Sequence, residues 1–191
     1  MVEIAAAAAL TATALFFFGV NFFVLGMVLL GRGGLKDAGP IFLAAGATNG
    51  IIALILLALT LNGVLTGGIP SAAGGGLIAI AFLVLIFVVT WIAAGLVAVR
   101  GYDAAPLGSL GIFCGIAMIP FAVFLWGNPL GFGQVWLTVN AISWIWVFFT
   151  LPLAFLFKTI SPKVAGWSFL VQAWYTLWIP AAIILVGLKL P

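Results

Sequence analysis

The sequence predicts an all-α integral membrane protein with six transmembrane helices. Three observations lead there. Apolar stretches of about twenty residues or more recur along the chain, the length needed to cross roughly 30 Å of hydrocarbon. Charge is confined to the ends and to three of the connections, which hold Arg32, Lys36, Asp37, Arg100, Asp103, Lys158 and Lys163. The composition is 66% apolar and 5% charged. With a mean hydropathy of +1.45 it lies outside the soluble range. Helices are the expected form because they satisfy their own backbone hydrogen bonds in lipid. The strands of a β-barrel would alternate polar and apolar residues instead.

The spans are predicted over residues 4–30, 41–61, 77–99, 107–126, 135–157 and 167–188. The first follows Glu3 and runs to the turn that bears Arg32. It lacks the basic n-region of a cleaved signal peptide and is expected to remain in the mature protein. The second begins after Lys36, Asp37 and Pro40 and carries Gly46 and Gly50 in a G-x-x-x-G spacing, which permits close helix packing. The third follows a glycine-rich, uncharged stretch, 62–76, expected to be a flexible external turn, and ends at Arg100. The fourth holds a second such pair, Gly111 and Gly115, with Cys114 between them. The fifth ends at Lys158; the sixth follows Lys163 and ends before Lys189. Six spans and short connections use the whole length, so 1–191 is expected to be a single domain.

Orientation follows from the positive-inside bias. The connections after spans one, three and five hold five of the six basic residues; 62–76 and 127–134 hold no charge. The basic turns are therefore expected on the cytoplasmic side, with both termini outside. These turns share a plan, in which a basic residue precedes a short segment bearing Gly, Pro or Asp. Compare Arg32-Gly-Gly-Leu-Lys-Asp-Ala-Gly-Pro with Arg100-Gly-Tyr-Asp-Ala-Ala-Pro and Lys158-Thr-Ile-Ser-Pro-Lys. This reads either as one hairpin used three times around a central passage, or as the basic flanks that any six-span protein has.

Several classes of function are disfavoured. Three carboxylates, one cysteine and no histidine leave acid–base pairs, triads and metal ligation short of parts. No catalytic residue, metal or other cofactor is expected. The bases are scattered, so the net charge of +3 does not indicate nucleic acid. Cys114, inside a span, supports no disulfide framework. A bundle without interior charge suits a small uncharged solute and not an ion.

Trp126, Trp136 and Trp167 fall where interfacial aromatic belts are expected. Trp91, Trp144, Trp146, Trp174 and Trp178 fall well inside spans, where an indole N–H needs a protein acceptor or a polar lumen. Phe87 and Trp91 share a helix face, as do Trp144 and Phe148, and Gln172 and Thr176. One face each of spans three, five and six is thus expected to converge on a slot walled by rings and tipped by the Gln172 amide. Flat, uncharged molecules such as urea or acetamide suit such a slot. Asn21, Asn49 and Asn140, and Gln172 itself, read equally as hydrogen-bonding glue between helices.

Span one holds Phe18-Gly-Val-Asn-Phe-Phe-Val-Leu-Gly and the third connection Gly101-Tyr-Asp-Ala-Ala-Pro. Ile119-Pro-Phe-Ala, Trp144 and Gln172-Ala-Trp-Tyr-Thr-Leu-Trp-Ile-Pro180 follow in spans four, five and six. In these segments the chain resembles the AmiS/UreI family of urea and short-chain amide channels. The resemblance implies three hairpin repeats around a pore within each protomer, a bacterial cytoplasmic membrane, and a homohexameric ring with lipid in the middle. It also implies that Phe87, Trp91, Trp144, Phe148 and Gln172 line the substrate pathway, with Phe22 opposite from span one. Acid-gated members carry Tyr at the position of Trp91, Trp at Phe148 and Glu at Gln172, and histidines in their outer loops. This chain has none of these, so acid gating is not expected. The expected function is a passive channel for urea or short-chain aliphatic amides. The alternatives are a coupled transporter of small neutral solutes, which needs an ion-binding residue at depth, and a structural membrane subunit, which would conduct nothing by itself.

Overall fold

A computed structural model of the chain describes residues 2–127 and 134–186. Its elements are α1 (Val2–Leu29), α2 (Leu35–Leu65), α3 (Ser71–Arg100), α4 (Ala105–Gly127) and α5 (Gln134–Leu151). A π-helical turn, Pro152–Leu156, extends α5. The sixth span comprises α6 (Pro162–Gln172), a second π turn (Ala173–Trp178) and α7 (Ile179–Leu185). Six helical stretches are long and apolar enough to cross a bilayer, and the chain is a multi-pass membrane protein.

The helices overrun several predicted boundaries. α2 starts at Leu35 and so includes Lys36 and Asp37; Asp37 sits in its first turn, where a carboxylate complements the helix dipole. Hydropathy marks the edge of the hydrocarbon, whereas the helix continues into the interface. The stretch 62–76 is not a flexible loop: α2 runs to Leu65 and α3 starts at Ser71, with a tight turn between. Gly63 there lies against Ile69 and Gly74 against Val64, so the glycines permit close packing and do not supply mobility. The expected connection beyond Gly127, the end of the last span and Lys189 lie outside the described residues.

The hairpin repeat is visible in the backbone. Each basic turn opens on a left-handed residue: Gly31 at φ 78°, Gly101 at φ 68° and Lys158 at φ 54°. Up-and-down topology places all three turns at one end of the bundle. The closest helix pairs, however, are not those joined by these turns. α2 packs most extensively on α3, α4 on α5, and the sixth span on α1. Each second helix of a hairpin therefore docks on the first helix of the next, and the three hairpins interlock as a ring.

Glycine makes these approaches possible at equivalent places. A methyl group at Gly39 of α2 would meet the Val99 backbone nitrogen of α3 at 3.0 Å. One at Gly108 of α4 would meet Leu156 Cβ at 2.9 Å, and one at Gly166 of α6 the Gly26 carbonyl of α1 at 2.9 Å. Both predicted G-x-x-x-G pairs lie on these seams: Gly46 and Gly50 face α3, and Gly111 and Gly115 face α5 and its extension.

Each π turn lies beside a proline, although Pro40 and Pro120 sit within regular α-helix. Pro152 and Pro180 lack the N–H that an α-helix requires for the carbonyls of Phe148 and Thr176, four residues earlier. Around each proline the chain shifts locally to i→i+5 pairing, a geometry that recurs at functional sites.

Candidate functional site

Eight aromatic side chains meet at the centre of the bundle. Phe18 and Phe22 come from α1, Phe42 from α2, Phe87 and Trp91 from α3, Trp144 and Phe148 from α5, and Phe169 from α6. All are among the most deeply buried large side chains of the protein. Phe87 is the hub, with ring centroids 4.5 Å from Phe18, 5.9 Å from Phe22, 5.2 Å from Trp144 and 5.1 Å from Phe148. Phe22 touches Trp91 at 5.5 Å and Phe169 at 5.1 Å, and Phe42 touches Trp91 at 5.3 Å. These are direct ring–ring contact distances, so no flat molecule fits between the rings in this conformation.

Chain direction orders the levels. α1, α3 and α5 run toward the basic turns, and the sixth span runs away from them. Asn140 therefore lies one turn beyond Trp144, on the side away from the basic turns. Trp91 and Phe148 lie one turn nearer to those turns than Phe87 and Trp144. Beneath them is a small enclosed cavity bounded by Phe22, Phe42, Thr90, Trp91, Phe148 and Phe169, among others. Its volume, measured at the centre of a water-sized sphere, is about 20 Å³. That holds about one water molecule.

A polar seam joins α5 to the sixth span. Asn140 Nδ2 donates to the Thr176 carbonyl at 3.0 Å, and Trp144 Nε1 donates to Thr176 Oγ1 at 2.8 Å. The Thr176 hydroxyl in turn donates to the Gln172 carbonyl at 2.9 Å. The Thr176 carbonyl is free to accept because Pro180 offers it no N–H. Other buried polar atoms have no hydrogen-bond partner among the described residues: Trp91 Nε1, Trp136 Nε1, Asn140 Oδ1, and both amide atoms of Asn21 and of Asn49. An orphaned buried group costs about 1–3 kcal/mol, so these are places where an unsatisfied requirement is held inside the bundle. Asn140 does connect two helices, as the glue reading expects, whereas Asn21 and Asn49 make no such bond within the described chain.

The structure brings together six of the seven residues singled out from the sequence: Phe22, Phe87, Trp91, Trp144, Phe148 and Thr176. Gln172 stands apart from them. Its side chain is half-buried, with Oε1 3.1 Å from the Ser143 hydroxyl. It lines an outward-facing groove with Trp146, Trp167, Ser168 and Val171. Ala173, one residue on, and Phe169, one turn earlier, take the inward face instead. The mid-span tryptophans also divide. Trp91 and Trp144 point inward; Trp146 and Trp174 are each 55% exposed on the outer face. Trp178 donates to the Phe16 carbonyl at 3.0 Å. Phe18, Phe42 and Phe169 were not foreseen. Phe18 was legible as the residue one turn from Phe22; Phe42 and Phe169 had no comparable signal in their own helices.

Among the described residues no cluster of His, Cys, Asp or Glu could hold a metal ion. The Cys114 thiol lies 3.1 Å from the Thr90 hydroxyl across the α3–α4 contact. Because Thr90 donates to the Ile86 carbonyl at 2.9 Å, the thiol is the donor of that pair.

An uncharged ring cluster inside a circle of six membrane helices defines a multi-pass membrane protein. Comparison with known proteins assigns it further: residues 10–188 match the AmiS/UreI family of transporters, and the chain belongs to that family. A relative from Rhodococcus erythropolis, which bears the name of a transporter protein, AmiS2, is 25% identical over 175 residues. The match spans 91% of this chain and 78% of that relative. The fold is also similar to the Helicobacter pylori urea channel. The electron cryomicroscopy structure of that channel's closed state superposes with a TM-score of 0.78 at 17% identity, covering 92% of this chain and 97% of the other. A crystal structure of the same channel gives a TM-score of 0.75 at 18% identity, covering 93% and 98%.

Proposed function

We propose that the protein is a passive channel, not an enzyme, for urea or short-chain aliphatic amides across the bacterial cytoplasmic membrane, with both termini outside and no acid gate. The observation that carries this reading is the central ring cluster: wholly uncharged, drawn from five helices, and flanked by neutral amide and indole groups lacking partners. Phe22, Phe87, Trp91, Trp144, Phe148 and Thr176 are proposed to border the pathway, with Gln172 acting on it only through Ser143 and the polar seam. Membership in a transporter family and the likeness to a urea channel support the substrate class.

Three physical terms would set selectivity. A bare ion at mid-membrane costs several kcal/mol or more without a compensating charge, and none lies in the cluster. Rings in direct contact open only by side-chain rotation, which favours small flat solutes over bulky ones. A neutral amide sheds its water at small cost where donors and acceptors await it. The test is stopped-flow light scattering of proteoliposomes with urea, acetamide and glycerol. Urea or acetamide is expected to enter much faster than into empty vesicles, with no sodium, potassium or guanidinium conductance. Cation current at the same protein density would refute the reading. So would the absence of any solute flux, which a purely structural subunit predicts.

A further inference from the structure

The polar contacts of the pathway sit on residues other than the one singled out from the sequence. We propose that Asn140 Oδ1 is the fixed acceptor for the N–H groups of the permeant on the outer side of the ring cluster, and that Trp91 Nε1–H is the fixed donor to its carbonyl on the inner side. The proposal rests on the amide-channel reading and names the groups that would make it work.

Asn140 is fully buried, and its orientation is determined by chemistry. The Thr176 carbonyl is an acceptor only, so the atom 3.0 Å from it must be the amide nitrogen. The amide oxygen is thereby turned away from the seam, and it has no partner among the described residues. Two features of the fold hold it there: Pro180 frees the Thr176 carbonyl, and the Trp144–Thr176 hydrogen bond pins that turn to α5. Asn140, Trp144, Phe148 and Leu151 share one face of α5, and this is the face that meets Phe87 and bounds the cavity. The orphaned oxygen is carried on that face.

Trp91 answers it from α3. Its ring is packed by Phe22 and Phe42, it borders the cavity, and its N–H has no partner. α3 and α5 run in the same direction, and Trp91 lies at the level of Phe148, two turns from Asn140. That places the orphaned acceptor and donor about 12 Å apart along the axis, on opposite sides of the rings. Urea and primary amides carry both an N–H donor and a carbonyl acceptor. Such a solute would exchange water for Asn140 on one side of the rings and for Trp91 on the other.

The experiment measures acetamide and N,N-dimethylacetamide entry into proteoliposomes, the second solute having no N–H. Asn140→Leu is expected to reduce acetamide flux at least tenfold and to narrow the discrimination between the two solutes. A purely structural role would lower both fluxes alike and leave their ratio unchanged. Trp91→Phe is expected to reduce acetamide flux at least threefold. If Trp91 only fills space, the smaller ring would raise flux or leave it unaltered. Should Asn140→Leu not assemble, Trp91→Phe decides, because Trp91 Nε1 makes no hydrogen bond whose loss could unfold the protein. Wild-type flux no greater than that of empty vesicles would remove the channel reading itself. Wild-type conduction with unchanged variants would overturn only the assignment of Asn140 and Trp91.

Discussion

Gly111→Ala provides a sharp test of how the ring cluster is held. Gly111 of α4 sits where α5 passes into its π turn. A Cβ there would lie 2.7 Å from the Phe148 carbonyl oxygen, 2.9 Å from Leu151 Cβ and 2.9 Å from Pro152 Cδ. None of these is the far end of a flexible side chain, so the two helices must separate. Overpacking of this kind costs about 1–3 kcal/mol, partly offset by the roughly 1 kcal/mol by which Ala exceeds Gly in helix propensity. Gly50 is the matched control. It belongs to the other G-x-x-x-G pair, yet a Cβ there meets only Val88 Cγ1, at an ordinary 3.5 Å. Gly50→Ala is therefore expected to be neutral or mildly stabilising. In a chain of this size each kcal/mol moves a melting midpoint by about 2–4 °C. Thermal unfolding in detergent, followed by loss of the assembled peak on size exclusion, should show Gly111→Ala lower by several degrees and Gly50→Ala unmoved. Because Phe148 lies in the ring cluster, Gly111→Ala should also change acetamide flux. Equal stability of the two variants would refute the placement of Gly111 against the α5 backbone.

Phe87→Ala removes the hub of the cluster, so flux of the bulkier glycerol should rise at least threefold relative to acetamide; unchanged discrimination would show that the rings do not form the constriction. The chain has no histidine, and Asp37 and Asp103 flank the basic turns, so flux should change little between pH 5 and 8; a steep rise on acidification in the same vesicles would contradict this. The protein is expected to assemble as a ring of six, each protomer with its own pore. Light scattering in detergent should then give a protein mass near six times the 19.9 kDa chain, and a monomeric mass would exclude the ring.

What the sequence by itself determined is the part of this protein that depends on one dimension. Span number follows from stretch length and from the cost of placing charge in hydrocarbon, and among the described residues the observed helices cover each predicted span to within one residue. The shared face of the basic turns follows in the same way, and the aromatic pairs Phe87–Trp91 and Trp144–Phe148 were legible from helical spacing. The inward turn expected from that spacing held for these two pairs and failed for Gln172. In a soluble helix the apolar stripe marks the core, but lipid is as apolar as the interior of this bundle. Trp144 and Trp146 therefore look alike in sequence, and so do Thr176 and Gln172. Only the tertiary structure separated them, through the glycine seams that set which helices touch and the prolines that freed the Thr176 carbonyl. With that carbonyl as its anchor, the buried polar contact passed from the Gln172 amide to Asn140, because a hydrogen bond depends on geometry in three dimensions and hydropathy does not record it.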